Sequence, residues 1–184
     1  MMEPAQWSLL PFAPLRPPRD FRIGGVIARQ SNVLTIRFLL EGNLAEVIIP
    51  EPAEQPSRKG ELWKETCFEF FIAAPESPEY REFNLSPSGD WNVWRFDDYR
   101  QGMRQEDAVA SLPFAVRREP GRLSLECGFD LAATGIMAGQ AIEAGISAVM
   151  RHRTGETSHF ALVHRGERPD FHRRDGFAIS LNAD

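Results

Sequence analysis

The sequence predicts an all-β protein, an antiparallel β-sandwich of jelly-roll or immunoglobulin-like type with about ten strands and at most a short helical turn. Three observations lead to this fold class. Apolar and polar residues alternate over short runs, which is typical of strands that bury one face. Turn sequences rich in Gly, Pro, Asn and Asp separate these runs at regular intervals. No stretch has the apolar period of an amphipathic helix, which argues against a helical fold.

The chain of 184 residues fits one domain, residues 1–184, and is long enough to bury roughly 70% of the surface that its unfolded form exposes. Residues 1–20 are rich in proline, which predicts an extended arm. We expect the arm to pack onto the domain through apolar side chains: Trp7, Leu9, Leu10 and Phe12.

Composition limits the classes of partner. The net charge of −5 and the lack of a basic stripe argue against nucleic acid. The prolines near the start interrupt any apolar run, so neither a signal helix nor a membrane span is expected. Cys67 and Cys127 both lie in apolar runs, which favours buried thiols over a disulfide framework. We therefore expect a cytoplasmic protein.

The first half of the chain contains three candidate strands, around 21–29, 32–40 and 44–49. The second alternates most clearly, and we expect one face of it to be buried: Leu34, Ile36, Phe38 and Leu40. Residues 51–61 are polar with two prolines and a glycine, so they form a loop that brings Trp63 to the edge of the sheet.

The second half provides the remaining strands. They are predicted at 67–72, 80–86, 91–96, 122–129, 141–150, 158–163 and 177–181, with one capped helical turn at 130–135. The sequence Pro-Ser-Gly-Asp turns the third of them back onto the second as a hairpin. Two registers are open: one places Asn84 opposite Val93, and the other places it opposite Asn92, with Glu82 opposite Trp94.

A carboxylate lies within the strand at 67–72. Alternation places Cys67, Glu69 and Phe71 on one face of that strand and the residues between them on the other. Because an unpaired buried charge is costly, Glu69 needs a partner. That partner is either an arginine, in a structural ion pair, or a ligand.

Several kinds of chemistry lack their motifs. The chain has no glycine-rich phosphate loop, no GxSxG and no HExxH. The acids at 97–107 do not match an EF-hand, and the four histidines do not match a zinc site. We expect no metal, no cofactor and no catalytic residue. Two alternatives stay open: a haem site with Met103 or Met150 and one histidine as axial ligands, and a glycosidase that uses Glu69 and Glu82.

Aromatic side chains favour a carbohydrate ligand. Sugars stack on flat aromatic faces while polar groups bond to their hydroxyls, and Trp63, Glu69 and Asn84 offer this combination. Trp91 and Trp94 lie on opposite faces of one strand; we expect Trp94 in the core and leave Trp91 open.

Three segments carry a family resemblance: LWKETCFEFFIA, YREFNLSPSGDWNVWRFDDYRQGM and RPDFHRRDGF. From about residue 21 to the C-terminus the chain resembles the DOMON-like proteins related to the family 9 carbohydrate-binding modules. The resemblance implies a β-sandwich that binds sugars or haem without catalysing a reaction. In those modules a W-x-x-D-x-x-E segment and a later aromatic residue clamp the sugar. Trp63 and Glu69 match the ends of that segment, and Phe171 matches the later aromatic by its spacing.

The chain departs from the pattern at several polar positions. Thr66 stands in place of aspartate, Asn84 lies near the position of an arginine, Val149 replaces a polar group, and Arg168 replaces asparagine. The hydrogen-bonding set therefore differs from that of the modules. An anionic or amino sugar would suit Arg151 and Arg168.

These observations predict a non-enzymatic, ligand-binding β-sandwich whose ligand is a small sugar or sugar derivative. An aromatic clamp and a polar edge form the expected site: Trp63, Glu69, Asn84, Arg151, Arg168 and Phe171. The alternatives are the haem-binding electron-transfer domain, the glycosidase, and a protein-interaction module whose ligand site has decayed.

Overall fold

A computed structural model describes residues 4–14 and 20–182 of the chain. Within them the chain forms thirteen strands. In chain order these are Ala5–Ser8 (β1), Leu10–Pro11 (β2), Phe21–Gln30 (β3), Val33–Gly42 (β4), Cys67–Ala73 (β5), Tyr80–Leu85 (β6), Trp91–Phe96 (β7), Arg104–Gln105 (β8), Phe114–Glu119 (β9), Arg122–Asp130 (β10), Ile142–Arg151 (β11), Thr157–Ala161 (β12) and Ile179–Leu181 (β13).

The strands form two antiparallel sheets. The five-stranded sheet has the order β1-β3-β4-β10-β9, and the eight-stranded sheet has the order β2-β12-β11-β5-β6-β7-β8, with β13 also paired to β11. Apolar side chains from both sheets meet in one core, among them Phe38 of the first sheet and Phe68 of the second, whose ring centroids are 5.3 Å apart. The predicted antiparallel β-sandwich is confirmed.

The alternation of apolar and polar residues explains which side chains of a strand are buried. Leu34, Ile36, Phe38 and Leu40 of β4 are buried, as predicted, while the residues between them are more exposed. Strand β5 behaves differently, because all of its seven residues are buried. Its predicted division into two faces is nevertheless correct. Phe70 points into the core, where it stacks on Phe83 at 4.3 Å, and Phe71 belongs to a second cluster on the outer face.

The second cluster covers the outer face of the eight-stranded sheet. Its buried members are Phe71, Ala73, Tyr80, Phe96 and Phe177. Strands β12 and β13 pair with the same edge of β11, one with each half of that strand. The segment 162–178 between them must therefore leave the sheet and return to it. This segment carries Phe177 onto the outer face. The sheet is therefore covered on both sides, which accounts for the burial of β5.

Helical structure is limited to three short 3-10 turns among the described residues: Leu62–Lys64, Leu131–Thr134 and Arg174–Gly176. The predicted capped turn is the second of these. The Asp130 carboxylate accepts a hydrogen bond from the Ala132 amide, and Gly135 ends the turn at a φ of 79°. No helix in this part of the chain is both long and apolar enough to cross a membrane.

The N-terminal arm is extended and packs on the body, as expected, for the residues that the structure describes. Strand β1 pairs with β3, and Trp7 and Leu9 are buried. Leu10 is 58% exposed, so its expected packing is wrong. Leu10 lies in β2 at the edge of the second sheet, opposite Ala161, with its side chain directed to solvent. The prolines at 17 and 18 lie outside the described residues.

Other local predictions are corrected. The strand expected at 44–49 is absent; only Val47 forms an isolated bridge, with His152. Strand β9 was not predicted, because it is an edge strand whose second half is charged and exposed. Trp91 is 7% exposed and belongs to the core, whereas Trp94 packs on the outer face, opposite to the expectation for Trp94. Cys67 and Cys127 are buried and free, as predicted.

The contact of the arm with the first sheet gives a stability prediction. A Cβ atom at Gly25 would overlap the Arg37 carbonyl oxygen and lie 2.6 Å from Cζ2 of Trp7, whereas a Cβ at Gly128 has no neighbour closer than 3.7 Å. We expect Gly25→Ala to lower the free energy of unfolding by about 1–3 kcal/mol, because backbone and indole must both shift. Gly128→Ala should change it by less than about 0.5 kcal/mol. Urea unfolding measures both, and equal effects of the two substitutions would contradict the close packing of Trp7 on β3.

Candidate functional site

A pocket of about 360 Å³ lies on the outer face of the eight-stranded sheet. Its apolar walls come from side chains that are far apart in sequence: Trp63, Phe96, Met103, Val149, Pro169 and Phe171. Its polar lining consists of two acids, one arginine and two histidines: Glu69, Glu82, Arg100, His159 and His172. The pocket thus combines aromatic surface with titratable groups.

The two aromatic residues predicted as a clamp both line this pocket. Trp63 lies in the first 3-10 turn, just before β5, where it packs edge-on against Trp94 with centroids 6.1 Å apart. Phe171 lies in the segment between β12 and β13, and its ring is 6.0 Å from that of His159. Each ring is supported by another aromatic side chain while it lines the pocket.

Strand register places a row of polar residues across the eight-stranded sheet, and Glu69 of this row lines the pocket. Ser147 of β11 lies opposite Glu69, Glu69 opposite Asn84, and Asn84 opposite Asn92. The second of the two predicted hairpin registers is therefore the correct one. Each of four adjacent strands thus has a polar residue at a position where a buried strand normally has an apolar one. All four polar residues are buried.

Hydrogen bonds within the row are incomplete. Ser147 Oγ donates to Glu69 Oε2 at 3.2 Å, and Asn84 Nδ2 donates to Glu82 Oε1 at 2.8 Å. Glu69 Oε1 and Asn84 Oδ1 are buried, and no described residue donates a hydrogen bond to either. Among the described residues no arginine or lysine pairs with Glu69, so the structural ion pair considered from the sequence is not formed. The floor of the pocket therefore offers acceptors that still need donors.

Burial makes both acids reluctant to ionise. It raises the pKa of Glu69 well above its usual value, and the nearby Glu82 carboxylate raises it further, against the hydrogen bond from Ser147. Burial also raises the pKa of Glu82 to about 7, although the hydrogen bond from Asn84 and the charge of Arg100 oppose the shift. A glycosidase needs one acid and one carboxylate with well-separated pKa values. Here burial raises the pKa values of both acids.

His172 lies beside Glu82 and is neutral. The Tyr80 hydroxyl accepts a hydrogen bond from the Arg100 amide at 3.2 Å and lies 2.8 Å from His172 Nδ1. The hydroxyl proton is therefore free to point at Nδ1, which leaves the ring proton on Nε2, 3.8 Å from Glu82 Oε2. Burial, reinforced by Arg100 and opposed by Asp170, lowers the pKa of His172 to about 4.

Among the described residues, Arg100 is the only lysine or arginine that lines the pocket, and it carries its own counterion. Arg100 Nη2 bonds to Asp170 Oδ1 at 2.9 Å. Burial lowers the pKa of His159, with a smaller contribution from His164. Among the described residues neither acid forms an ion pair with a lysine or arginine, although the charge of Arg100 acts on Glu82.

The remaining predicted site residues lie outside the pocket lining. Asn84 is fully buried beneath it, bonded to Glu82. Arg151 lies at the end of β11, where its guanidinium bonds to Thr157 Oγ1 at 2.9 Å. Arg168 is exposed and lines a separate depression, which shares Arg100 and Pro169 with the pocket. The structure does not bring these two arginines to the two acids.

Sequence reasoning left out several lining residues. Glu82 was considered only as a glycosidase acid, although it lies two residues before Asn84 and so shares its face of the strand. His172 directly follows Phe171, and that adjacency was the available signal. Arg100 and Met103 come from the charged connection after β7, where no periodicity indicates which side chains turn toward the sheet.

The histidines do not converge on one centre. The described residues contain no group of three or more His, Cys, Asp or Glu side chains that could hold a metal ion. His164 Nε2 bonds to the Leu10 carbonyl, and His152 Nε2 lies 2.8 Å from Ser158 Oγ. For the haem alternative, Met150 is fully buried between the sheets, away from the outer face, whereas Met103 lines the pocket with His159 and His172.

The acid pair predicts how stability depends on pH. Because the pKa of Glu82 is about 7 in the folded protein and about 4.5 in the unfolded chain, the folded state retains a proton that the unfolded state loses. This contribution is complete below pH 4.5 and is lost as the pH rises through 7. Relative to wild type, Glu82→Gln should gain roughly 1–3 kcal/mol in free energy of unfolding between pH 5 and 8.

Urea unfolding at several pH values measures this difference. The low pKa of His172 makes the free energy of unfolding rise with pH between about 4 and 6.5, opposite to the effect of Glu82. Both proteins contain His172, so its contribution largely cancels in the difference between them. A constant offset between Glu82→Gln and wild type from pH 5 to 8 would show that Glu82 ionises normally.

Comparison with known proteins shows the fold. The sequence matches no protein-family model, and no curated protein matches it significantly. In structure it is similar to a candidate carbohydrate-binding protein from Bacteroides uniformis, with a TM-score of 0.69 and 15% identity over 98% of this chain and 87% of that one. It is also similar to a family 9 carbohydrate-binding module from Caldicellulosiruptor kristjanssonii in complex with glucose, with a TM-score of 0.53 and 8% identity over 90% and 78% of the two chains. The resemblance to the family 9 modules is thereby confirmed as a shared β-sandwich fold.

Proposed function

We propose that this protein is a non-catalytic binding domain for a small carbohydrate, which occupies the pocket between Trp63 and Phe171. One observation carries the proposal. Two aromatic residues from distant segments and two buried acids, Glu69 and Glu82, line one pocket on the outer face of a sheet. Aromatic surface for the apolar side of a sugar and acceptors for its hydroxyls are the two requirements of carbohydrate recognition.

The size of the pocket suits a small ligand. Its volume of about 360 Å³ lies at the lower end of the range for small-molecule sites, roughly 300–1,000 Å³. Sugar hydroxyls can donate to the carboxylates of Glu69 and Glu82, which line the pocket, and Glu69 Oε1 has no donor among the described residues. A bound sugar would complete hydrogen bonds whose absence otherwise costs about 1–3 kcal/mol for each buried group.

The fold supports the same class of ligand by analogy. The Caldicellulosiruptor module of similar fold binds glucose, and the Bacteroides protein is a candidate for carbohydrate binding. Fold alone does not determine function, so the proposal depends on the pocket of this chain. The acids support binding rather than hydrolysis, because burial raises the pKa of both and so disfavours the carboxylate that a glycosidase needs as its nucleophile or base.

Neutral sugars test the proposal. We expect at least one member of a panel of monosaccharides and disaccharides that includes glucose and cellobiose to shift the tryptophan fluorescence, because Trp63 lines the pocket and contacts Trp94. Trp63→Ala and Phe171→Ala should each weaken binding by roughly tenfold or more, the loss of about 1.4 kcal/mol of stacking. Fluorescence titration for Phe171→Ala and calorimetry for Trp63→Ala measure the effects.

A control separates stacking from general loss of apolar surface. Met137 is 68% exposed and does not line the pocket, so Met137→Ala should bind as wild type does. A panel that produces neither heat nor a fluorescence change would reject the proposed function. Binding that survives both aromatic substitutions would place the sugar elsewhere on the protein.

A further inference from the structure

The floor of the pocket is acidic and lacks a counterion. Glu69 and Glu82 are 2% and 4% exposed, and the only ion-pair contact of either acid among the described residues is with neutral His172, 3.8 Å from Glu82. Arg100 also lines the pocket, but its guanidinium is bonded to Asp170. A buried pair of acids without a cation is the reverse of what an anionic ligand requires.

The walls above this floor suit a cation as well. Trp63, Phe96 and Phe171 line the same pocket, and the faces of aromatic rings attract ammonium groups within about 6 Å. An ammonium group has three donors and no acceptor. It can therefore donate to the carboxylates of Glu69 and Glu82 together, which line the same pocket, whereas a single hydroxyl has one proton to donate.

We propose that the preferred ligand of the pocket is an amino sugar, whose protonated amine lies on the floor formed by Glu69 and Glu82. This inference rests on the proposed function and names the ligand class of the same site. It also gives a role to polar residues that a neutral sugar would leave partly unsatisfied. Arg151 and Arg168, for which the sequence suggested an anionic or amino sugar, lie outside the pocket lining and take no part.

Binding of the amine must be accompanied by loss of a proton. Near neutrality the acid pair holds at least one proton, since burial raises both pKa values. The ammonium replaces that proton as the compensating charge, so the proton leaves the carboxyl group for the buffer while the amine keeps its own. Other titratable or charged groups near the acids are Cys67, Tyr80, Arg100, His159, Asp170 and His172. Burial lowers the pKa of both histidines, which favours their neutral forms, and a neutral sugar causes no corresponding release.

Calorimetry with matched sugars tests the inference. Glucosamine, galactosamine and mannosamine are each compared with the parent sugar and the N-acetyl derivative at about pH 6.5, in two buffers of different ionisation enthalpy. We expect at least one amino sugar to bind tenfold or more tightly than both neutral counterparts. Its binding should release on the order of 0.5–1 proton, and that of the neutral sugars close to none.

A variant assigns the effect to the floor of the pocket. Glu82→Gln should reduce the affinity ratio of amino sugar to parent sugar toward one and abolish proton release. Glu65→Gln, which removes an exposed acid of the same segment that does not line the pocket, should retain both. Neutral sugars that bind as well as amino sugars, without proton release, would overturn this inference and leave the proposed function intact. Failure of every sugar to bind would overturn both.

Discussion

The structure depends on a row of buried polar side chains in the middle of an otherwise apolar sheet. Ser147, Glu69, Asn84 and Asn92 cross four adjacent strands at one level. Burying such groups is unfavourable unless they bond to one another, and the row meets this condition only in part. The unmet hydrogen bonds lie under the pocket. Glu69 of this row also lines the pocket, so the polar row and the pocket share a residue.

The covering of that face is as specific as the row itself. Gly145 has no side chain, and a Cβ there would lie only 2.8 Å from the Phe177 ring. The glycine lets the segment between β12 and β13 lie close to the sheet, which places Phe171 and His172 over the acids. Tyr80 holds His172 through its hydroxyl and stacks on Phe96 at 4.7 Å. The apolar contact of Phe177 with the sheet therefore helps to position His172 of the same segment.

Much of this fold follows from local sequence, and the reasons for the exceptions are physical. Alternation in β4, β5 and β10 predicts their buried faces, since a strand repeats every two residues. It assigns no register, so the pairing of Asn84 with Asn92 was one of two possibilities until the turn geometry was known. The apolar residues around Val47 led to the prediction of a strand at 44–49. In the structure they form a turn, in which only Val47 makes an isolated bridge. Of the predicted site residues, Trp63, Glu69 and Phe171 line the pocket. Arg151 and Arg168 do not, because their positions depend on strand ends and loops that periodicity does not describe.

Electrostatics then decides among the ligands that the aromatic walls would accept. Asp170 pairs with Arg100, and burial lowers the pKa of His159 and His172, so the two acids dominate the floor. The most direct test of this account is a ¹³C NMR titration of the glutamate side-chain carboxyls, with Glu69 and Glu82 assigned from Glu69→Gln and Glu82→Gln. The account predicts that both titrate well above 4.5, with the pKa of Glu82 at about 7. Midpoints near 4.5 for both residues would contradict it.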